Sequence, residues 1–203
     1  MIITTPSPEQ ATGHVADMYA ADLSDDGFVY AHTRAMAMNP GVHQAFETLV
    51  GQVAASLGVR NYELVTLAAA RAIGSPHCLL AHGRKTLRAG LMDEDQLVRV
   101  AGNDDDAGLT DAEVAMMAYA ARMSADAAAM TDADSQSLRD LGFSDAQIAD
   151  ITFAAGARNF LSRSLLALAV PIDDVPGLTP RLRDALLGAA SDIASPASRV
   201  VSG

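Results

Sequence analysis

The sequence is poor in the residue types that build sheets and disulfides. Its 203 residues include one cysteine and no tryptophan, and only 4% are aromatic. One cysteine cannot form an intrachain disulfide, so any thiol chemistry belongs to a reducing compartment or involves a second molecule. Strands favour β-branched and aromatic side chains, whereas Ala and Leu are the best helix formers. Because half of the residues are apolar and so few are aromatic, the sequence predicts an all-α fold.

Basic residues and long apolar runs are also scarce. The chain has 14 Lys and Arg against 25 Asp and Glu, a formal net charge of -11. This charge opposes binding to phosphate backbones and anionic lipid, so we expect no nucleic-acid or membrane partner. The apolar runs at 64–70 and 165–170 are far shorter than the roughly 20 residues of a membrane span. The N-terminal segment lacks the pattern of an export signal, and we expect a cytoplasmic protein.

Capping signals divide the chain into helices. Ser or Thr followed three positions later by Glu or Gln opens the segments at 7, 110 and 144, and a cap followed by proline occurs at Asn39-Pro40 and Ser75-Pro76. Apolar residues then recur at helical spacing, and no stretch has the alternation of a strand. The predicted helices cover about 8–23, 30–38, 40–58, 61–73, 76–89, 92–100, 111–124, 132–141, 145–169 and 181–193.

These helices are assigned to one all-helical domain at 1–176, followed by a C-terminal helix and a frayed tail at 177–203. An acidic loop at 102–106 is expected to be a solvated connector. Helix 145–169 is apolar nearly all round, more than one core contact needs, which predicts a homo-oligomer. The predicted buried stripe of helix 40–58 consists of Val42, Ala45, Phe46, Leu49, Val50 and Val53.

A helical hairpin at 61–89 concentrates the reactive residue types. Asn61 is predicted to cap its first helix, Gly74 to end that helix in the left-handed region, and Ser75 to cap the second. The second helix holds the only cysteine, Cys78, together with two histidines, whereas an acidic residue lies in the first. The candidate site residues are Glu63, His77, Cys78 and His82.

The spacing within this hairpin favours an activated nucleophile. Cys78 would be the third residue of its helix, where unpaired N–H groups and the helix dipole favour the thiolate. His82 follows four residues later on the same face and can act as the base. Glu63 is offset from His82 by about 6 Å along the helix axis. That gap is too long for a direct hydrogen bond but suits one bridging water.

Each of these residues also has a structural explanation. Cys78 can be a small core residue, Glu63 can interact with the helix dipole, and His82 can bond to a backbone carbonyl. His77 can be exposed at the first turn. A zinc or copper site built from His77, Cys78 and His82 would need further ligands that the sequence does not place nearby, so no metal or other cofactor is predicted.

The hairpin resembles the signature of the carboxymuconolactone decarboxylase family, in its alkylhydroperoxidase D-like, peroxidase-related branch. Members of this branch carry a Glu, then a CxxC with His before its second Cys, then a His four residues later. Glu63, His77, Cys78 and His82 occupy matching positions. The resemblance extends over about residues 6–173, through SPEQATGHVADMY, LTDAEVAMMAYAARM, LRDLGFSDAQIADI and NFLSR.

The resemblance implies an all-helical fold that assembles into trimers or hexamers, with active sites close to subunit interfaces. It implies that Cys78 attacks peroxide. Ser75 stands where the family has the first cysteine of its CxxC, so the thiol that would resolve a sulfenic acid is missing. Regeneration would then need an external thiol or a redox partner protein.

Three functions are compatible with the sequence. The first is a one-cysteine peroxidase-like enzyme that acts on a small hydroperoxide, with Cys78 as nucleophile, His82 as base, Glu63 orienting through water and His77 assisting. The second is a non-redox site in which Cys78 and His82 bind a small molecule or act on it by acid–base chemistry. The third is a catalytically silent helical protein whose value lies in its assembly.

Overall fold

The computed structural model describes residues 1–103 and 107–191. Within these residues all regular elements are helical. Single 3₁₀ turns lie at Pro8–Gln10 and Ala127–Ala129. The α-helices are α1 (His14–Asp26), α2 (Ala31–Met36), α3 (Pro40–Leu57), α4 (Val59–Ile73), α5 (Pro76–Arg88), α6 (Glu94–Gly102), α7 (Asp111–Ala125), α8 (Asp132–Asp140), α9 (Asp145–Ala167) and α10 (Pro180–Ser191).

The predicted caps account for most helix starts. The Asn39 side chain accepts a hydrogen bond from the backbone of Val42, and capping boxes open α7, α8 and α9. The starts of α1 and α4 differ most from the prediction. The Ser7 box opens only a 3₁₀ turn, because Gly13 turns the chain with a φ of 55° before α1 begins at His14. Helix α4 begins at Val59 after Gly58, so Asn61 lies inside the helix and does not cap it.

Helix α4 is the centre of the molecule. Every residue from Tyr62 to Ala70 is buried, and the helix packs against α3, α5, α7 and α9. Small side chains such as Ala69 and Ala70, both fully buried, let the neighbouring helices approach closely. The central hairpin predicted from the sequence is therefore confirmed, and it holds Glu63 deep in the protein.

Helix α10 closes the hairpin from one side. Leu182 and Leu186 are fully buried, and α10 packs on α5 and α6. A Cβ at Gly83 would lie 2.6 Å from Leu186 Cδ1, and one at Gly74 would lie 2.9 Å from the carbonyl oxygen of Ala190. Gly74 also has a φ of 74°, as expected for the left-handed end of α4. Both glycines of the hairpin therefore permit the close approach of α10.

The predicted stripe of α3 is only partly buried. Phe46 and Val53 lie in the core, but Val42 and Leu49 are 40% and 44% exposed, and Ala45 is exposed too. On α9, which packs against α3, Phe153 and Phe160 are also exposed. A pattern of apolar residues does not distinguish a core face from a face left open in one chain. Assembly into an oligomer remains a prediction.

Three other expectations concern the ends and loops. Most of the acidic loop and the predicted frayed tail lie outside the described residues, as does the predicted end of the last helix near Ile193. No helix in the described part of the chain is long and apolar enough to cross a membrane.

Candidate active site

A cavity of about 450 Å³ lies beside the hairpin, between α1, α2, α3, α5 and α9. Four of the five histidines line it, together with the only cysteine. The four are His32, His43, His77 and His82. A larger cavity of about 680 Å³, between α4, α6 and α7, has mostly apolar walls and contains none of the predicted site residues. The reactive side-chain types named above are therefore concentrated at the smaller cavity.

Cys78 is the third residue of α5, as predicted, and its side chain is 2% exposed. Its sulfur accepts two hydrogen bonds from α9. The Ser162 hydroxyl donates to Sγ at 3.1 Å, and Arg158 Nη1 donates at 3.5 Å. Because both neighbours are donors, the surroundings stabilise negative charge on the sulfur.

Arg158 is a buried cation without a carboxylate partner in the described part of the chain. It is 3% exposed, and its second hydrogen bond runs from Nη2 to the Tyr62 hydroxyl at 3.2 Å. Burial opposes its charged form, but the Cys78 and Tyr62 groups outweigh burial and raise the pKa of Arg158 above its usual value. The Cys78 sulfur and the Tyr62 hydroxyl are thus the two groups that accept hydrogen bonds from Arg158.

Glu63 and His82 form a direct hydrogen bond. The distance from Glu63 Oε2 to His82 Nδ1 is 2.6 Å, and the two side chains are only 7% and 5% exposed. The bridging water predicted between them is therefore wrong. The predicted offset was a distance between backbone positions. The long side chains of Glu63 and His82 extend towards each other and close this gap. This pair is called the dyad below.

Burial dominates the protonation of the dyad. It raises the pKa of Glu63 to about 7, although Lys85 and Arg158 act in the opposite direction. It lowers the pKa of His82 well below 6.5, and the charges of Arg158 and Lys85 act in the same direction. An imidazolium–carboxylate pair is thus disfavoured, and the imidazole stays neutral. The dyad takes up or releases one proton near neutral pH, which suits acid–base chemistry.

His82 makes no hydrogen bond to Cys78 in the described structure, although both line the cavity. With Nδ1 bonded to Glu63, Nε2 has no hydrogen-bond partner among residues 1–103 and 107–191. His77 Nε2 donates to the carbonyl oxygen of Val170 at 2.8 Å, beyond the end of α9. His77 thus fastens the segment after α9 to the start of α5, and its assisting role in catalysis remains a prediction.

Ser75 lies at the cap position of α5, but its side chain makes no capping hydrogen bond. The hydroxyl is fully buried and has no hydrogen-bond partner in the described residues. The structural role predicted for this side chain as a helix cap is therefore wrong. The backbone of Ser75 starts the helix, since its carbonyl accepts from Leu79 N at 3.2 Å, while its side chain stays free next to the site.

A second polar network forms the rim of the cavity. The Tyr30 hydroxyl donates to Asp26 Oδ2 at 2.8 Å, and Arg84 Nη1 donates to the same oxygen at 2.7 Å. These bonds tie the end of α1 and the start of α2 to α5. Burial and nearby positive charges, first among them Lys85, lower the pKa of His32 to about 3. His32 is therefore neutral at physiological pH.

The described residues contain no group of three or more His, Cys, Asp or Glu side chains arranged to hold a metal ion. His77 is bonded to the backbone, and His82 is bonded to Glu63. The polar contacts of the thiol are two hydrogen-bond donors, one of which is a cation, and such contacts suit an anion.

Part of the chain is similar to a known protein family. Residues 40–122 match the model of the carboxymuconolactone decarboxylase family. The match spans the whole hairpin, with Glu63, Cys78 and His82, and confirms the resemblance predicted from the sequence. No curated protein is significantly similar to the chain.

Two solved structures share the fold. One is described as an alkylhydroperoxidase AhpD core, an uncharacterized peroxidase-related protein from Ralstonia eutropha JMP134. It is 21% identical, with a TM-score of 0.72 over 85% of this chain and 92% of its own. The other is an uncharacterized peroxidase-related protein from Silicibacter sp. TM1040, also 21% identical with a TM-score of 0.72, over 87% and 94%. At this identity the likeness shows the fold, which is the all-α fold expected.

The residues that contact the thiol lie outside the family match. Arg158 and Ser162 are on α9, beyond residue 122. Sequence reasoning missed both, together with the contact to Tyr62. One signal was present, because Arg158 lies at helical spacing from Ile151, Ala154 and Leu165, on the buried stripe of α9. A charged residue on such a face requires a partner, and spacing along the chain does not reveal a partner 80 positions away.

Proposed function

We propose that the protein is a one-cysteine, thiol-dependent peroxidase-like enzyme that reduces small organic hydroperoxides. One observation carries the proposal. The only thiol faces a cavity while a buried guanidinium without a carboxylate partner donates to its sulfur. Such an arrangement favours a thiolate, which is the nucleophilic form of cysteine.

The reaction begins with attack of the Cys78 thiolate on the terminal oxygen of the hydroperoxide. An S–O bond forms, the O–O bond breaks, and the leaving alkoxide takes the electron pair and one proton. The products are the Cys78 sulfenic acid and an alcohol. The dyad of Glu63 and His82 supplies acid–base chemistry at the same cavity. The walls include apolar side chains such as Phe46, Leu161 and Leu165, which suit an organic group on the substrate.

Regeneration requires two molecules of an external thiol. The first displaces water from the sulfenic acid and forms a mixed disulfide with Cys78. The second attacks the mixed disulfide, releasing the external disulfide and the reduced Cys78. An intrachain route is excluded because the sequence contains one cysteine.

Oxidation of the reduced protein by stoichiometric tert-butyl hydroperoxide tests the proposal. Dimedone traps sulfenic acid, and mass spectrometry locates the adduct. We expect one adduct, on Cys78, in the wild-type protein and none in Cys78→Ser. A Cys78 that stays reduced and unlabelled after this treatment would contradict the proposed function.

A second candidate function is acid–base chemistry without redox turnover of the thiol. The dyad favours it, because the hydrogen bond between Glu63 and His82 is complete without Cys78. In this case Cys78 forms part of the binding surface only. Slow alkylation by iodoacetamide, together with resistance to hydroperoxide, would support this candidate over the first.

A further inference from the structure

Arg158 and His82 are the two groups at the cavity that could stabilise a charged thiol, and their contacts show that they have different roles. We propose that Arg158, and not His82, holds Cys78 as a thiolate, and that the dyad acts on the proton of the leaving oxygen. This inference rests on the proposed function only for the second task. The first task concerns the resting protein and is testable without any peroxide.

The contacts of the sulfur support the first task. Sγ lies within hydrogen-bond distance of Arg158 Nη1 and Ser162 Oγ. A neutral thiol is a weak acceptor, so two donors aimed at the sulfur gain most when it carries a negative charge. Neither donor is a residue of the hairpin that the family match covers.

The charges around Arg158 point the same way. Taking a guanidinium out of water is costly unless an anion accompanies it. Glu63, the buried carboxylate nearby, is bonded to His82 instead, and Tyr62 offers Arg158 a hydroxyl oxygen and not a carboxylate. A Cys78 thiolate supplies the missing counter-charge. The titratable or charged groups that face the cavity from the elements around Arg158 are Asp22, Asp25 and Asp26 on α1, Tyr30 and His32 at α2, His43 and Glu47 on α3, Tyr62 and Glu63 on α4, and His77, Cys78, His82, Arg84, Lys85 and Arg88 on α5.

His82 is poorly suited to the same task. A thiolate–imidazolium pair requires a protonated imidazole, whereas burial, Arg158 and Lys85 all disfavour the protonated form of His82. Its Nδ1 is also bonded to Glu63, and no hydrogen bond joins it to Cys78. Because His82 does not hold a second proton, it does not keep the proton of the Cys78 thiol and so does not maintain the thiolate.

The dyad is suited to the second task. When Glu63 is protonated, it donates to Nδ1, and His82 carries its own proton on Nε2. Transfer of that proton to the leaving alkoxide is balanced by transfer of the Glu63 proton to Nδ1, which leaves a neutral imidazole and a carboxylate. Attack of the second external thiol on the mixed disulfide frees Cys78 as a thiolate and releases the proton of that external thiol, which restores the dyad. No imidazolium is needed at any step, in agreement with the burial of His82.

Alkylation of the reduced, full-length protein tests the division between the two groups. Iodoacetamide labels Cys78, and intact mass gives the rate at neutral pH. We expect Arg158→Met to lower this rate by about tenfold or more, because alkylation follows the thiolate fraction. Arg158→Lys, which keeps the charge, should fall between Arg158→Met and the wild type. The matched control is Arg163→Met on the same helix, whose side chain bonds to Ser124 O and not to the sulfur.

His82→Gln completes the test. We expect its alkylation rate to stay within about twofold of the wild type while hydroperoxide consumption with an external thiol falls by roughly a hundredfold. If His82→Gln slows alkylation as much as Arg158→Met does, or if Arg158→Met does not slow it, the inference is overturned. If Arg158→Met does not fold by circular dichroism, Ser162→Ala removes the other donor and should slow alkylation to a smaller extent.

The inference and the proposed function fail in different ways. Absence of sulfenic acid after hydroperoxide treatment removes the proposed function and the second task of the dyad. The alkylation series would still decide whether Arg158 holds the thiolate. Conversely, oxidation of Cys78 with alkylation that depends on His82 would keep the function and overturn the inference.

Discussion

The two walls of the cavity are built in different ways. The dyad forms within one hairpin, from residues 19 positions apart on α4 and α5. The wall around the thiol joins the start of α5 to α9, with Arg158 lying 80 positions after Cys78. Local spacing therefore points to the first wall, whereas the second exists only after the chain has folded. The two walls can also be disrupted separately.

Removing the thiol should have the largest effect. Cys78→Ser replaces the proposed nucleophile with a hydroxyl that is far less acidic, so we expect hydroperoxide consumption to fall to the uncatalysed background. The coupled consumption of hydroperoxide and external thiol measures this. Because the dyad remains intact in this variant, residual turnover above background would assign the reaction to the dyad wall.

A restored cysteine at position 75 should change the route of regeneration. In Ser75→Cys, one equivalent of hydroperoxide should yield an intrachain disulfide with Cys78, since the CxxC spacing at a helix start is that of redox-active pairs. Mass spectrometry after alkylation would show the loss of both free thiols and little trapped sulfenic acid. A persistent sulfenic acid in this variant would mean that position 75 does not reach the sulfur.

The stability of the hairpin that carries the dyad should depend on the close packing of α10 against it. Gly74→Ala places a side chain on a residue in the left-handed region, and its Cβ would lie too close to the Ala190 carbonyl oxygen. We therefore expect a loss of about 2–3 kcal/mol in the free energy of unfolding. Gly90→Ala is the matched control, because Gly90 has a φ of 62° and open space around its Cβ position. Urea unfolding compares the two variants. Equal losses would show that strain alone, without the contact to α10, explains the effect.

The pH dependence of stability should give the smallest effect. Glu63 has a pKa near 7 in the folded protein against 4.5 unfolded, so the folded state holds more protons and this group's contribution is lost as pH rises from about 4.5 to 7. His82 has a lowered pKa, so its contribution is present above pH 6.5 and lost as pH falls. The slope of melting temperature against pH should therefore change in opposite directions in the two variants, becoming more positive in Glu63→Gln and less positive in His82→Gln than in the wild type. Slope changes of the same sign would contradict these protonation states.

The sequence was sufficient for the fold and for the position of the thiol. Ser75-Pro76 and Gly74 define the hairpin by local chemistry, and a cysteine two residues after that proline must lie in the first turn of α5. Backbone capping, helix periodicity and composition are local properties, so they can be read from a single chain. The all-α fold and the ten helices of the described residues follow from them.

The contacts of the site were less predictable. The direct bond between Glu63 and His82 depends on how two side chains extend between packed helices, which an axial distance does not give. Arg158 and Ser162 reach Cys78 through the packing of α9 against α5, and no local pattern reports that contact. The sequence also did not predict that the Ser75 hydroxyl lacks a hydrogen-bond partner in the described residues, because a serine before a proline normally caps the helix.

The most direct measurement is the rate at which one equivalent of tert-butyl hydroperoxide oxidises Cys78, compared with the rate for free cysteine at the same neutral pH. A thiolate held by Arg158 beside an acid–base dyad predicts oxidation at least about tenfold faster than that of free cysteine, with sulfenic acid as the first product. A rate no higher than that of free cysteine would contradict the assignment of this cavity as a peroxidase site.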